Sequence, residues 1–164
     1  MKRFLFVIIS LITSVNFTQA TMELSFNVSG RYNARCTYAE ATGIYTITGS
    51  GKNAYVPTNP LSRDLTVKEV KLVFEYNSIG GINNMILAFG NTYSDTHITA
   101  CGTLAATGTD YKTFSVDLTS DICAFKWGLQ DQTMRLSIGA DERIKIKNIR
   151  IEEVEPNIQG KVTC

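Results

Sequence analysis

The chain holds one histidine, His97, and four cysteines, so the first chemistry to weigh is a nucleophile activated by a base. His97 and Cys101 are four residues apart. On a strand that separation is roughly 13 Å, against the ~3 Å contact that a dyad needs. Only a tight turn between them would bring the two together, and His97 reads instead as a polar surface residue. A Ser-His-Asp triad would have to recruit the same histidine, and no Gly-x-Ser-x-Gly elbow is present. Glycoside hydrolysis needs only two carboxylates about 5–10 Å apart. The carboxylates here, such as Glu69, Glu75 and Asp117, fall at turns or on the outer faces of alternating runs. There is no glycine-rich phosphate loop and no EF-hand spacing, and cysteine spacings of 65, 22 and 41 residues match no zinc motif. The expectation is a non-catalytic chain with no obligatory cofactor or metal.

Recognition of a sugar asks for other residues: a flat ring for the C–H face of a pyranose and polar groups for its hydroxyls. Rings in turn-rich segments are the candidates. Tyr93 comes first, because Asn91, Ser94 and Asp95 surround it with hydrogen-bonding groups. Tyr55 comes second, in the Asn/Pro stretch from Asn53 to Asp64, which shows no periodicity and reads as the longest loop. Trp127, preceded by Lys126, is the largest ring and comes third. The other tyrosines fall in strand-like runs and read as packing.

The elements that must position these residues are strands. Apolar residues alternate at Leu24/Phe26/Val28, Val70/Leu72/Phe74/Tyr76, Met85/Leu87/Phe89, Phe114/Val116/Leu118 and Met134/Leu136/Ile138. No long window shows a 3.6-residue period, and glycine-rich turns such as Gly49-Ser50-Gly51 separate the runs. Eight to ten short strands make a sandwich or barrel. Ile144 and Ile146 are out of phase with Ile149 and Ile151, so a β-bulge is expected near Lys147-Asn148. Arg143, Lys145, Lys147 and Arg150 would then form a solvated outer row.

Lys2-Arg3, an apolar run from Phe4 to Val15, and Thr18-Gln19-Ala20 have the layout of a cleavable secretory leader over residues 1–20. The run is shorter than the roughly 20 residues needed to cross a bilayer. A secreted, periplasmic or cell-surface location is expected, with no membrane insertion after cleavage. Removing Lys2 and Arg3 leaves 14 basic against 15 acidic residues, which offers no field for nucleic acid. Export permits disulfides, and four cysteines allow three complete pairings. Cys101–Cys123 is the favoured pair; small buried free thiols are the alternative.

The order Tyr111-Lys112-Thr113-Phe114-Ser115-Val116-Asp117-Leu118, Trp127-Gly128, Met134-Arg135-Leu136-Ser137-Ile138-Gly139 and Ile144-Lys145-Ile146-Lys147-Asn148-Ile149-Arg150-Ile151 resembles a known pattern. It is similar to the second half of galactose-binding-like, carbohydrate-binding-module-like jelly rolls of secreted Bacteroidetes glycan-processing proteins. The likeness spans residues 67–153. It implies an all-β jelly-roll β-sandwich over 21–155, followed at 156–164 by a tail or the opening strand of another β-sandwich. It further implies that Trp127 is a core anchor, and that a structural calcium is conceivable, with Glu23 and the Asp141-Glu142 turn as donors. The implied role is an accessory module that binds carbohydrate or packs on a neighbouring domain. A structural or adhesive domain that contacts protein and binds no sugar is the alternative.

Overall fold

The computed structural model describes residues 21–62, 70–89, 97–118 and 132–153, with the backbone alone at 84, 89 and 97–101. These residues form strands and no helix. The strands are β1 (Thr21–Glu23), β2 (Ala34–Ala39), β3 (Ile44–Gly49), β4 (Ala54–Pro57), β5 (Val70–Asn77), β6 (Ile82–Phe89), β7 (His97–Leu104), β8 (Lys112–Asp117), β9 (Met134–Ile138) and β10 (Arg143–Glu153). They build two antiparallel sheets, so the all-β sandwich expected from the alternating runs is what the chain forms. One sheet runs β2-β3-β10-β5-β8, with β1 also on β10; the other runs β4-β9-β6-β7.

β10 organises the larger sheet. Along one edge its first half pairs with β3 (Ile144↔Ile47, Ile146↔Tyr45) and its second half with β1 (Ile151↔Met22). Its other edge pairs with β5, and the register shifts between Lys147 and Arg150. Asn148 occupies that shift with φ 52°. The expected bulge is therefore present, and Ile144, Ile146, Ile149 and Ile151 all reach the core. The solvated row also stands. Glu75 accepts from Asn148 Nδ2 at 2.6 Å and pairs with Lys147 at 3.1 Å, while Glu152 pairs with Lys71 at 2.9 Å and with Arg150 at 2.6 Å.

The inner faces close on one core. From the larger sheet come Ile47, Leu72, Phe74, Ile144 and Ile146; from the smaller come Val56, Met85, Leu87, Met134 and Leu136. Phe74 stacks on Phe114 with centroids 4.8 Å apart.

Two expectations need correction. The stretch from Asn53 is not wholly loop: Ala54 and Val56 are buried at 0% and alternate with outward-facing residues, so a four-residue strand ends at Pro57. Four residues are too few for periodicity to register, and a proline is tolerated near the sheet margin. Conversely, Leu24, Phe26 and Val28 are not one continuous strand. Only Thr21–Glu23 is regular, after which Phe26 makes an isolated bridge to Thr58.

Candidate functional site

The segment after β1 runs antiparallel beside β4 and is tied to it at two points. Phe26 bridges Thr58 and Tyr32 bridges Tyr55. Six chain steps on one side therefore match three on the other, so residues 27–31 must bow out. The bow is held locally: Asn27 Oδ1 accepts from the N–H groups of Ser29 and Gly30, each at 3.1 Å, which is an Asx turn. The Arg31 guanidinium donates to the carbonyl of Val28. A Cβ on Gly30 would lie 2.9 Å from Pro57, so only glycine lets the bow lie this close to β4.

Beyond the bow, Tyr32 and Tyr55 exchange both backbone hydrogen bonds, at 3.0 and 2.9 Å, which places their side chains as direct cross-strand neighbours. Their rings stack, with centroids 5.6 Å apart and planes 22° apart. Arg135 on β9 pairs with Pro57 in the ladder and sets its guanidinium carbon 5.3 Å from the Tyr55 centroid. Tyr55 is thus clamped by a ring and a cation. Tyr32 is 53% exposed, whereas Arg135 is only 8% exposed. Alongside lies a cavity of about 280 Å³ whose walls include Asn27, Tyr55, Pro57, Thr58, Thr133 and Arg135. Its floor is stiffened by Thr58, whose hydroxyl accepts from the Met134 N–H at 3.0 Å.

This arrangement offers a rigid aromatic surface, a delocalised cation and amide and hydroxyl groups along one shallow trough. It holds no nucleophile–base pair. A second cavity, of about 310 Å³, lies at the other end of β9 between the 78–81 and 139–142 turns. No aromatic ring lines it, and the Glu142 carboxylate there is engaged by the N–H groups of Asn83 at 2.6 Å and Gly139 at 2.7 Å.

Of the residues expected at a site, the structure places Tyr55 in this trough. It stands on a strand and not, as expected, in a loop. Tyr93, Asn91, Asp95, Trp127 and Cys123 lie outside the described residues, as does the side chain of Cys101, so the expected pairing of Cys101 with Cys123 lies there too. Cys36 is a buried free thiol, pushed up to about 11 by burial. His97 and Cys101 belong to the same strand, β7. The suggested calcium donors do not converge: Glu23 stands opposite Arg150, eight residues along β10 from Glu142, or about 26 Å at ~3.3 Å per residue. Among the described residues no group of three or more His, Cys, Asp or Glu side chains gathers as a metal site.

Tyr32 and Arg135 were not anticipated. Tyr32 had read as packing, but its pairing with Tyr55 depends on the bow of five residues between two bridges, which no local pattern announces. A related pair, Tyr38 on Tyr45 with centroids 4.5 Å apart, does continue into the core through Phe26, whose ring meets Tyr45 edge-on at 5.2 Å.

No family model matches the chain, and no curated protein matches it. Solved structures do. A variant of a family 29 carbohydrate-binding module complexed with cellulohexaose superposes with TM-score 0.53 at 16% identity, covering 84% of this chain and 93% of that one. Another family 29 module, from Piromyces equi, gives TM-score 0.53 at 8% identity over 88% and 91% of the two chains. A β-(1,4)-mannanase of Podospora anserina that carries a family 35 module gives TM-score 0.54 at 14% identity, covering 88% of this chain and 30% of that one. At these identities the likeness is one of fold: a β-sandwich of the carbohydrate-binding-module type.

Proposed function

We propose that this chain is an exported, non-catalytic carbohydrate-binding module, and that it holds an extended, equatorially linked glycan in the trough beside Tyr32 and Tyr55. The observation that carries the reading is the Tyr32 ring, 53% exposed and stacked on Tyr55, which itself lines a trough with Asn27, Thr58, Thr133 and Arg135. An exposed ring held in one orientation loses little freedom on binding, which suits a shallow site. The ring takes the apolar face of a pyranose, and the trough wall beside Tyr55, which includes Asn27, Thr133 and Arg135, gives the hydroxyls a polar surface. The family 29 structure with cellulohexaose supports a β-linked glucan as the first ligand to try.

The test is calorimetric titration of the wild-type protein and of Tyr32→Ala with cellulohexaose and with manno-oligosaccharides. Saturable binding that weakens in the folded variant supports the proposal. Absence of heat at millimolar ligand for every sugar would move the protein to the alternative role of a contact domain.

A further inference from the structure

Asn27-Val28-Ser29 has the form Asn-Xaa-Ser with no proline in the middle, the acceptor pattern for N-linked glycan on chains entering a secretory lumen. The one other such triplet is Asn16-Phe17-Thr18, inside the expected leader, so cleavage after Ala20 would leave Asn27 as the sole acceptor. The structure adds what the triplet alone lacks. The two N–H groups of the Asx turn hold Oδ1, which distinguishes the two ends of the amide, and Nδ2 makes no hydrogen bond among the described residues. Gly30 keeps the space beside that nitrogen open, since a Cβ there would lie 3.1 Å from Nδ2. Ser29 is exposed. Asn27 also forms part of the wall of the Tyr55 trough.

We infer that Asn27 is an attachment site for N-linked glycan, and that the attached sugar covers the trough beside Tyr32 and Tyr55. The donor is an oligosaccharide carried on a polyprenyl pyrophosphate. Nδ2 attacks the anomeric carbon, the bond from that carbon to the pyrophosphate oxygen breaks, and the pyrophosphate leaves with the bonding pair. Nδ2 gives up one proton, and nothing is oxidised or reduced. Val28 is only partly buried against the core and Ser29 is exposed, so the finished turn can carry the modified amide. Attachment rests on export; covering of the trough rests also on the proposed function.

The experiment expresses the full chain with its own leader in a eukaryotic secretory host and maps peptide masses before and after peptide-N-glycosidase. The expected result is a glycosidase-sensitive mass on the peptide containing Asn27, kept in Ser29→Thr and lost in Ser29→Ala and Asn27→Gln, all four proteins remaining folded by circular dichroism. Secreted wild-type protein with Asn27 unmodified overturns attachment, as does a chain retained in the cytosol. Cellulohexaose is then titrated against the glycosylated wild type and against unglycosylated Ser29→Ala, which keeps the Asn27 amide that the glycosidase would convert to aspartate. Covering predicts at least tenfold tighter binding by the unglycosylated protein, and equal binding by both forms overturns it. If neither form binds, the proposed function fails and covering fails with it, while attachment stands or falls on the mass alone.

Discussion

Tyr32 and Tyr55 share a backbone pair but do different work. Tyr55 is half-buried between a ring and the Arg135 guanidinium, so its removal strips support from its neighbours. Tyr32 is the outer ring and presents the larger surface to a ligand. Tyr32→Ala should therefore weaken oligosaccharide binding by about 1–1.5 kcal/mol, roughly five- to tenfold, with little change in unfolding midpoint. Tyr55→Ala should weaken binding at least as much and also lower the midpoint. Paired titration and urea denaturation separate the two. At this scale the residues disclosed Tyr55 as a ring among polar neighbours but concealed its partner. Tyr32 is 23 residues away, and its closeness is set by a bow whose length depends on the Asx turn at Asn27.

The bulge in β10 is the clearest case of an element written into the residues. Two pairs of isoleucines out of phase require one extra residue, and Asn148 supplies it in a left-handed conformation, φ 52°. Alanine there should cost about 1–2 kcal/mol from the backbone, plus the bond to Glu75. Glycine keeps the conformation and loses only the bond, so Asn148→Gly should be the milder change in denaturant midpoint. The same bond, with Lys147 close by, holds the Glu75 carboxyl below the usual range, and Lys71 and Arg150 do the same for Glu152. Their folded values lie below the unfolded ~4.3, so their stabilisation is complete above that pH and is lost as pH falls through the folded values. Glu75→Gln should accordingly flatten the loss of stability measured on acidification below about pH 4.3. β4 was hidden for the opposite reason. Its two buried residues, Ala54 and Val56, are small and few, and the prolines at 57 and 60 read as loop.

Across the whole molecule the two sheets are held by apolar side chains from nearly every strand, with Phe74 at 1% exposure between Phe114 and Tyr76. Phe74→Ala should cost about 3–5 kcal/mol in urea unfolding, because the rigid sheets on either side cannot collapse into the space left. The sandwich was readable because period-two runs in β5, β6, β8 and β9 each name an inner face. Which strands would be neighbours was not readable, since β10 pairs with β1, β3 and β5 across the length of the chain. The outward face of the smaller sheet is built by its own long-range pairings: β9 brings Arg135 beside β4, and the bridges bring Tyr32 there from the other side.

The proposed glycan site is the trough beside Tyr32 and Tyr55. The most direct measurement is a backbone-amide NMR titration of the folded protein with cellulohexaose. Saturable shift changes are expected to concentrate on residues 27–33, Tyr55, Thr133 and Arg135, and in Tyr32→Ala the same changes should need roughly five- to tenfold more ligand. Shift changes confined to the outer face of β10 and β5, or to the 78–81 and 139–142 turns, would contradict that placement.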